Sequence, residues 1–511
     1  MNTTNKDTSS ALEALSDELN LNDHAIAMIL AAGHGKRIKS ETPKMIHKIW
    51  GVPTVLRVAN AARDGLSTKN QIIIVGIKAE EVAEACGKTS HRVYAYQAEQ
   101  RGTGHAVRIG LDPIKEKNYQ GTIYIFPGDV GLLNRDVVSS FHKAFVANPC
   151  DMMVLTSIFK GPADENYYGR IIRVPATDVE GQLSGEDEGK VIEIIEHKDI
   201  LSKKDGEPYI TQYNGRRYAF TRQQLLETRE FNTGLFAFRS QTLMHHIYHL
   251  REDNVQGELY VTDLIAIFNQ NGLSVRAFAT TDENAVLGFN VKSVLKQMED
   301  IARHDAYEKL KDIITILDKE DFYIAEEVIE QIIRKDAEHG PLDIVIGPGV
   351  HVGPNVHLDR GVDIGSRAYL DGNVILGEGV KIQQDVHIST YAHQTLKIGD
   401  HTEIFYGNII KGDLMIGINC SIESGVNMTG SDDNPVRIGN NVLIKGTSYV
   451  FGCVIEDDVW IERSVLKNQY IEKTVRKDGT VQPIRWIMPP PEGLDSIRPA
   501  VSEDYQNPEK K

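Results

Sequence analysis

The chain has 511 residues, 41% of them hydrophobic and 25% charged, with a formal net charge of −16. That length exceeds one ordinary core and predicts two or three domains of globular composition. The acidic balance excludes a general nucleic-acid binder, which needs a basic face, but not a nucleotide pocket, where local lysines and arginines set the field.

Residues 1–22 are polar and acidic and lack the apolar core of a signal peptide, so they read as an N-terminal tail. Within it, 11–21 has the pattern of a short amphipathic helix. Over 23–291, short β runs alternate with helical stretches: strands at 25–30, 71–75, 92–96 and 122–126, helices at 79–86, 104–111 and 136–146. This alternation predicts an α/β, doubly wound, mostly parallel sheet, with ligands outside the carboxyl ends of the strands. The charged stretches 185–189 and 205–217 read as surface insertions. Residues 292–341 are charged, rich in Leu and Ile and almost free of Gly, and predict a helical linker.

From 342 to 473 the period changes. Ile346, Val352, Leu358, Ile364, Leu370, Leu376, Ile382 and Ile388 stand six residues apart, each preceded two residues earlier by Ile344, Val350, Val356, Val362, Ala368, Val374, Val380 or Val386. Paired apolar positions at a sixfold period are the mark of a hexapeptide β-helix. The phase slips at Thr390 to Gln394, and Gly430 to Pro435 should loop out. Residues 474–511 are Pro-rich and charged and read as an extended tail. The cysteines, Cys86, Cys150, Cys420 and Cys453, are scattered with no C-x-x-C, as in reduced cytoplasmic proteins. No stretch is apolar for long enough to span a membrane.

The first strand breaks into Ala31-Ala32-Gly33-His34-Gly35, followed by Lys36, Arg37 and, after Pro43, Lys44. Small loop residues let backbone N–H groups approach an anion, and Arg37 and Lys44 can add charge. The loop is too short for the Walker A pattern, and Ile38 stands where a dinucleotide fingerprint needs its third glycine. Alone, it fits a triphosphate cradle or a tight turn with solvated basic residues.

The order L-A-A-G-x-G-x-R-(x)-P-K resembles the signature of sugar-1-phosphate nucleotidyltransferases. Gln97-Ala98-Glu99-Gln100-Arg101-Gly102-Thr103-Gly104-His105-Ala106 narrows the resemblance to the bacterial bifunctional N-acetylglucosamine-1-phosphate uridylyltransferase/glucosamine-1-phosphate acetyltransferase family. The resemblance implies UTP and a sugar-1-phosphate as substrates, Mg²⁺ as cofactor, a left-handed β-helix, a homotrimer built through it, and neither nucleic-acid nor membrane partners. It implies Arg37, Lys44 and Asp129 as catalytic residues. Leu30, Ala32, Gly33, Lys44, Gln97, Gly102 and Thr103 would contact the nucleotide. Asp129, after a buried strand, and Asn290, in Gly288-Phe289-Asn290, would hold the metal. On the sugar side, Gly169 in Y-G-R, Glu196 in E-H-K-D, Asn232 in N-T-G, and Tyr260 and Thr262 in G-E-L-Y-V-T-D match the family in order.

The family's acetyltransferase segment, G-H-x-x-Y-x-G-D, has no counterpart here. Phe405-Tyr406-Gly407-Asn408 is a faint echo, and His351, His357, His387, His393 and His401 lack the right neighbours. The sequence therefore leaves three readings: a uridylyltransferase on a β-helix scaffold, a bifunctional enzyme with a diverged second site, or a non-catalytic regulatory subunit that binds a nucleotide sugar.

Overall fold

Strands free of charge and apolar on both sides must be covered on both faces. Ala25–Ala31 and Gln71–Val75 meet that condition and pair in parallel at the centre of the main sheet. The computed structural model describes residues 3–33, 35–204 and 206–486, which divide into two units, Met1–Ala302 and Arg303–Lys511.

In the first unit the strand order is Val275–Ala279, Met152–Ile158, Glu230–Arg239, Thr122–Pro127, Ala25–Ala31, Gln71–Val75, Arg92–Tyr96. All pairings along it are parallel except those of Glu230–Arg239, which runs against both neighbours. Alternate residues of the central strand serve two cores. Ala25, Ala27 and Ile29 pack with the helices Thr54–Leu66, Ala79–Cys86 and Arg135–Ala147. Ile26 and Met28 pack with Thr103–Leu111, Ser240–His246 and Leu264–Gln270.

Two segments expected at the surface are tied in. The N-terminal segment forms a helix, Thr3–Leu15, earlier than the stretch expected to be helical. Its Leu12 is buried in the core. Just beyond it, the Asp17 N–H donates to Arg92 O at 2.7 Å and Ser16 Oγ accepts from the Tyr94 N–H at 3.0 Å, covering the sheet's edge strand. The second segment, within 205–217, becomes the hairpin Tyr209–Tyr213 and Arg216–Phe220. Its turn residues Asn214 and Gly215 both have positive φ. Hairpin residue Tyr218 is fully buried against Ile172, Ile195, Ile200 and Leu225.

The second unit stacks three parallel sheets of eight, eight and seven short strands, as a left-handed hexapeptide β-helix requires. Each regular coil advances eighteen residues, from Ile346 to Ile364 and on to Ile382. The inward Ile and Val side chains are buried. Corner residues such as Asn355, Asp385, Asn419 and Asn441 hold left-handed backbone, a conformation Asn and Asp tolerate. The two loops interrupt the ladder between Ser389 and Leu396 and between Gly430 and Val436. The linker span holds the helices Lys292–Leu310 and Glu326–His339. Between them, Thr315–Ile316 and Phe322–Ile324 already pair into the β-helix sheets. At the other end, Trp486 and Ile484 hydrogen-bond the last coil; the rest of the expected tail, 487–511, lies outside the described residues. No helix among the described residues is long and apolar enough to cross a membrane.

Candidate nucleotide and sugar-phosphate site

The first strand ends at Ala31, and the chain turns through Gly33 and Gly35 into the three-ten turn Lys36–Ile38; His34 lies outside the described residues. Gly35 has φ 61°, and a Cβ there would stand 2.7 Å from Lys44 Cβ, so the loop folds directly onto the lysine. The strand Thr122–Pro127 delivers Gly128, whose N–H donates to Leu30 O at 3.0 Å, and then Asp129.

Lys44 is 7% exposed, and its Nζ donates to Asp129 Oδ2 at 2.5 Å and to Asn290 Oδ1 at 2.9 Å. The Phe289 ring lies 5.3 Å from the same ammonium. Three residues expected to act together therefore meet, although 85 and 246 positions separate Lys44 from the other two. Arg37 is exposed on its three-ten turn and is not part of this cluster. One carboxylate and one amide oxygen form a hard donor pair. They fit a divalent ion that takes its remaining ligands from phosphates and water. No group of three His, Cys, Asp or Glu among the described residues could hold an ion by itself.

The segment after Arg92–Tyr96 holds the second part. The Gln97 N–H donates to Val75 O at 2.8 Å, fixing its buried side chain at the sheet's carboxyl edge. Gln97 Nε2 lies 3.4 Å from Gly102 O and 3.1 Å from His105 Nδ1. Gly102 has φ 100°, and a Cβ there would stand 2.5 Å from Leu259 O. The Gly104 N–H donates to Leu259 O at 2.7 Å, and the Leu259 N–H to Arg101 O at 2.9 Å. Thr103 Oγ1 accepts from the Val261 N–H at 3.1 Å. Thr103 is thus a stitch between this segment and the one carrying Tyr260 and Thr262, both nearly buried.

The third part surrounds Glu196. Gly169 O accepts from the Asn232 N–H at 2.8 Å, and a Cβ on Gly169 would lie 3.0 Å from Glu196 Oε1. Asn232 Oδ1 accepts from the Gly234 N–H at 2.8 Å across a bulge in its strand. Gly234 in turn fits against Pro127, where a Cβ would stand 2.7 Å from Cγ. This contact ties the N-T-G loop to the strand that carries Asp129. Burial lifts the Glu196 carboxyl to about 7, aided by the charges of Asp199 and Asp263 and opposed by Arg170. Asp263 rises to about 6, through burial first and then Asp199 and Glu193. The Tyr260 hydroxyl, pushed up to about 12 by burial, accepts from Gln256 Nε2 at 2.5 Å. Tyr168 stacks on Phe231 at 4.5 Å, and its hydroxyl is raised by burial, then by Asp129 and Glu283.

Sequence reasoning did not single out Arg170, Asp199, Gln256 or Asp263. Arg170 is fully buried and donates to Asn166 O at 2.6 Å and to Tyr168 O, while its Nε has no partner. Arg170, Asp199 and Asp263 stand inside quoted motifs; Arg170 is buried, the two aspartates are half-buried, and Gln256 is exposed.

On the β-helix, Asn408 is fully buried. Its Nδ2 donates to Ile422 O at 3.0 Å and its Oδ1 accepts from the Val426 N–H at 2.7 Å, so it serves the coil. His351 and His387 belong to a ring stack, Tyr323–His351–Tyr369–His387, spaced 4.5, 4.5 and 4.8 Å. His393 Nε2 lies 2.9 Å from Asp432 Oδ2, joining the two protruding loops.

Residues 27–212 match the MobA-like NTP transferase domain. The bifunctional protein GlmU of Streptomyces griseus is 30% identical over 488 residues, spanning 85% of this chain and 90% of that protein. Those of Clostridium kluyveri and Carboxydothermus hydrogenoformans are 28% and 29% identical, spanning 85% and 87% of this chain and 91% and 99% of theirs. Among solved structures, UDP-glucose pyrophosphorylase complexed with UDP-glucose aligns over 55% of this chain and 98% of that one, at 12% identity and a TM-score of 0.38, too distant for residue-level comparison. With a nucleotidyltransferase domain matched at its N-terminal part and 30% identity running over 85% of its length and 90% of the Streptomyces griseus protein, the chain is a nucleotidyltransferase and belongs to the GlmU family.

Proposed function

We propose that this enzyme transfers the uridylyl group of UTP to N-acetylglucosamine-1-phosphate, with Mg²⁺ as the divalent ion. A phosphate oxygen of the sugar attacks the α-phosphorus, the bond to the β-phosphate oxygen breaks, and pyrophosphate leaves. The nucleophile is already an anion, so the protein's work is positioning and charge neutralisation rather than proton removal. One observation carries this reading: Lys44, Asp129 and Asn290 converge at the carboxyl edge of the sheet.

Asp129 and Asn290 hold the ion, which when bound supplies charge neutralisation and alignment of the two phosphates. Lys44 and Arg37 counter the triphosphate charge, and the backbone from Leu30 through Ala32 and Gly33 cradles it. Gln97 and Gly102 face the uracil, held in place by Thr103. Gly169, Glu196, Asn232, Tyr260 and Thr262 line the sugar side. A cytoplasmic setting suits the four cysteines, which are free and buried. The β-helix acts as an assembly scaffold, three copies to a molecule.

A second reading, acetylation of glucosamine-1-phosphate with acetyl-CoA, is favoured by the bifunctional relatives and by the His393–Asp432 pair, a carboxylate-held imidazole on the coil. Buried Asn408 offers no base. Acetyl-CoA-dependent loss of glucosamine-1-phosphate, abolished in His393→Ala, would support it.

The test of the main reading is pyrophosphate release with Mg²⁺, UTP and a panel of sugar-1-phosphates. Strong release with N-acetylglucosamine-1-phosphate, reduced at least about 100-fold in Asp129→Ala, is expected. No release with any of the sugars would favour the regulatory reading.

A further inference from the structure

We infer that the Lys44 ammonium and the divalent ion contend for the same two oxygens, so that nucleotide and metal bind cooperatively, with Lys44 as the coupling element. The inference rests on Asp129 and Asn290 being the residues that hold the ion.

Lys44 Nζ stands 2.5 Å from Asp129 Oδ2 and 2.9 Å from Asn290 Oδ1, spanning both. A magnesium ion bound to those oxygens would sit about 2.1 Å from each, in the space the ammonium fills. Two cations that close repel strongly, and the site is half-buried, so little water screens them. The lysine stem is confined: it is 7% exposed, packs against Gly35, and has Phe289 beside its tip. Movement is therefore left to the end of the side chain. The small-residue turn proposed to cradle the triphosphate, Ala32 and Gly33, leads into Gly35, which meets the Lys44 stem.

A triphosphate in that turn gives the ammonium a new partner and frees the two oxygens for the ion. Each ligand then raises the affinity of the other by the same factor. Without nucleotide, Lys44 holds Asp129 and Asn290 together but keeps the ion out.

The experiment is Mn²⁺ binding to full-length protein without nucleotide, read by electron paramagnetic resonance. Wild type is compared with Lys44→Met, Lys44→Arg, Arg37→Met and Asp129→Asn. Lys44→Met should bind Mn²⁺ at least about fivefold more tightly, the low end of typical coupling. Lys44→Arg and Arg37→Met should match wild type. UTP should tighten Mn²⁺ binding in wild type, and by a clearly smaller factor in Lys44→Met, where only direct ligation by the phosphates remains. Equal or weaker Mn²⁺ binding in Lys44→Met would overturn the inference. So would equal tightening in Arg37→Met, which would point to the general field of the loop rather than shared oxygens. Asp129→Asn separates the two levels. If it binds Mn²⁺ with UTP as wild type does, the assignment of the metal-holding residues fails; if it loses binding while Lys44→Met gains nothing, only the coupling fails.

Discussion

A sugar hydroxyl donates a stronger hydrogen bond to a carboxylate than to a carboxylic acid, so with Glu196 in its proposed role, its protonation state sets the affinity for the sugar. Its carboxyl, lifted to about 7, is protonated below that pH and ionised above it. KM for the sugar phosphate should therefore fall as pH rises from 6 to 8, while KM for UTP changes little. Glu196→Gln should flatten that dependence at the high-KM level, as steady-state kinetics across the range would reveal. Gly102 answers to geometry instead. A methyl group there meets Leu259 O at 2.5 Å on a backbone at φ 100°. Gly102→Ala should raise KM for UTP about tenfold, and strain of about 1–3 kcal/mol should lower the melting temperature of the first unit by several degrees. Asp129, Lys44 and Asn290 were legible as residues because each stands in a short ordered motif. The role of Thr103 was not: its partner, the Val261 N–H, is 158 positions away, and nothing local announces the pairing.

The hairpin Tyr209–Phe220 illustrates the same limit for elements. Its charged composition reads as a solvated insertion, yet alternate residues point inward and Tyr218 completes a small core. That core includes Ile195, adjacent to Glu196, and Ile200, on the helix that Glu196 begins. Tyr218→Ala should cost about 3–5 kcal/mol, by analogy with large aromatic truncations. Calorimetry should resolve this as early melting of the first unit, with a raised KM for the sugar phosphate and a smaller change for UTP. The β-helix, by contrast, was legible almost rung by rung, because every coil puts the same positions in the same surroundings. Thr315–Ile316 and Phe322–Ile324 escaped notice because a helix, Glu326–His339, separates them from the regular series and each is too short to show a period.

The two units each carry a core of their own, one around the mixed sheet and one inside the coil. A chain ended at Leu310 should remain folded and release pyrophosphate at a rate within about threefold of the full chain, since every residue proposed for nucleotidyl transfer lies in the first unit. The same chain should sediment as a monomer, whereas the full chain should sediment as a trimer in analytical ultracentrifugation. Division into an α/β part and a coil was legible from the change of period alone; the boundary inside the helix Lys292–Leu310 was not, because that helix crosses it without a break in composition. The eighteen-residue step from Ile346 to Ile364 also constrains how such a chain can change in descent. Gain or loss of one whole turn leaves every ladder aligned, while a shift of one residue would turn isoleucines outward along all that follows. Lineages should therefore vary in coil length by whole turns and place other additions where this chain has its two loops, at corners outside the count.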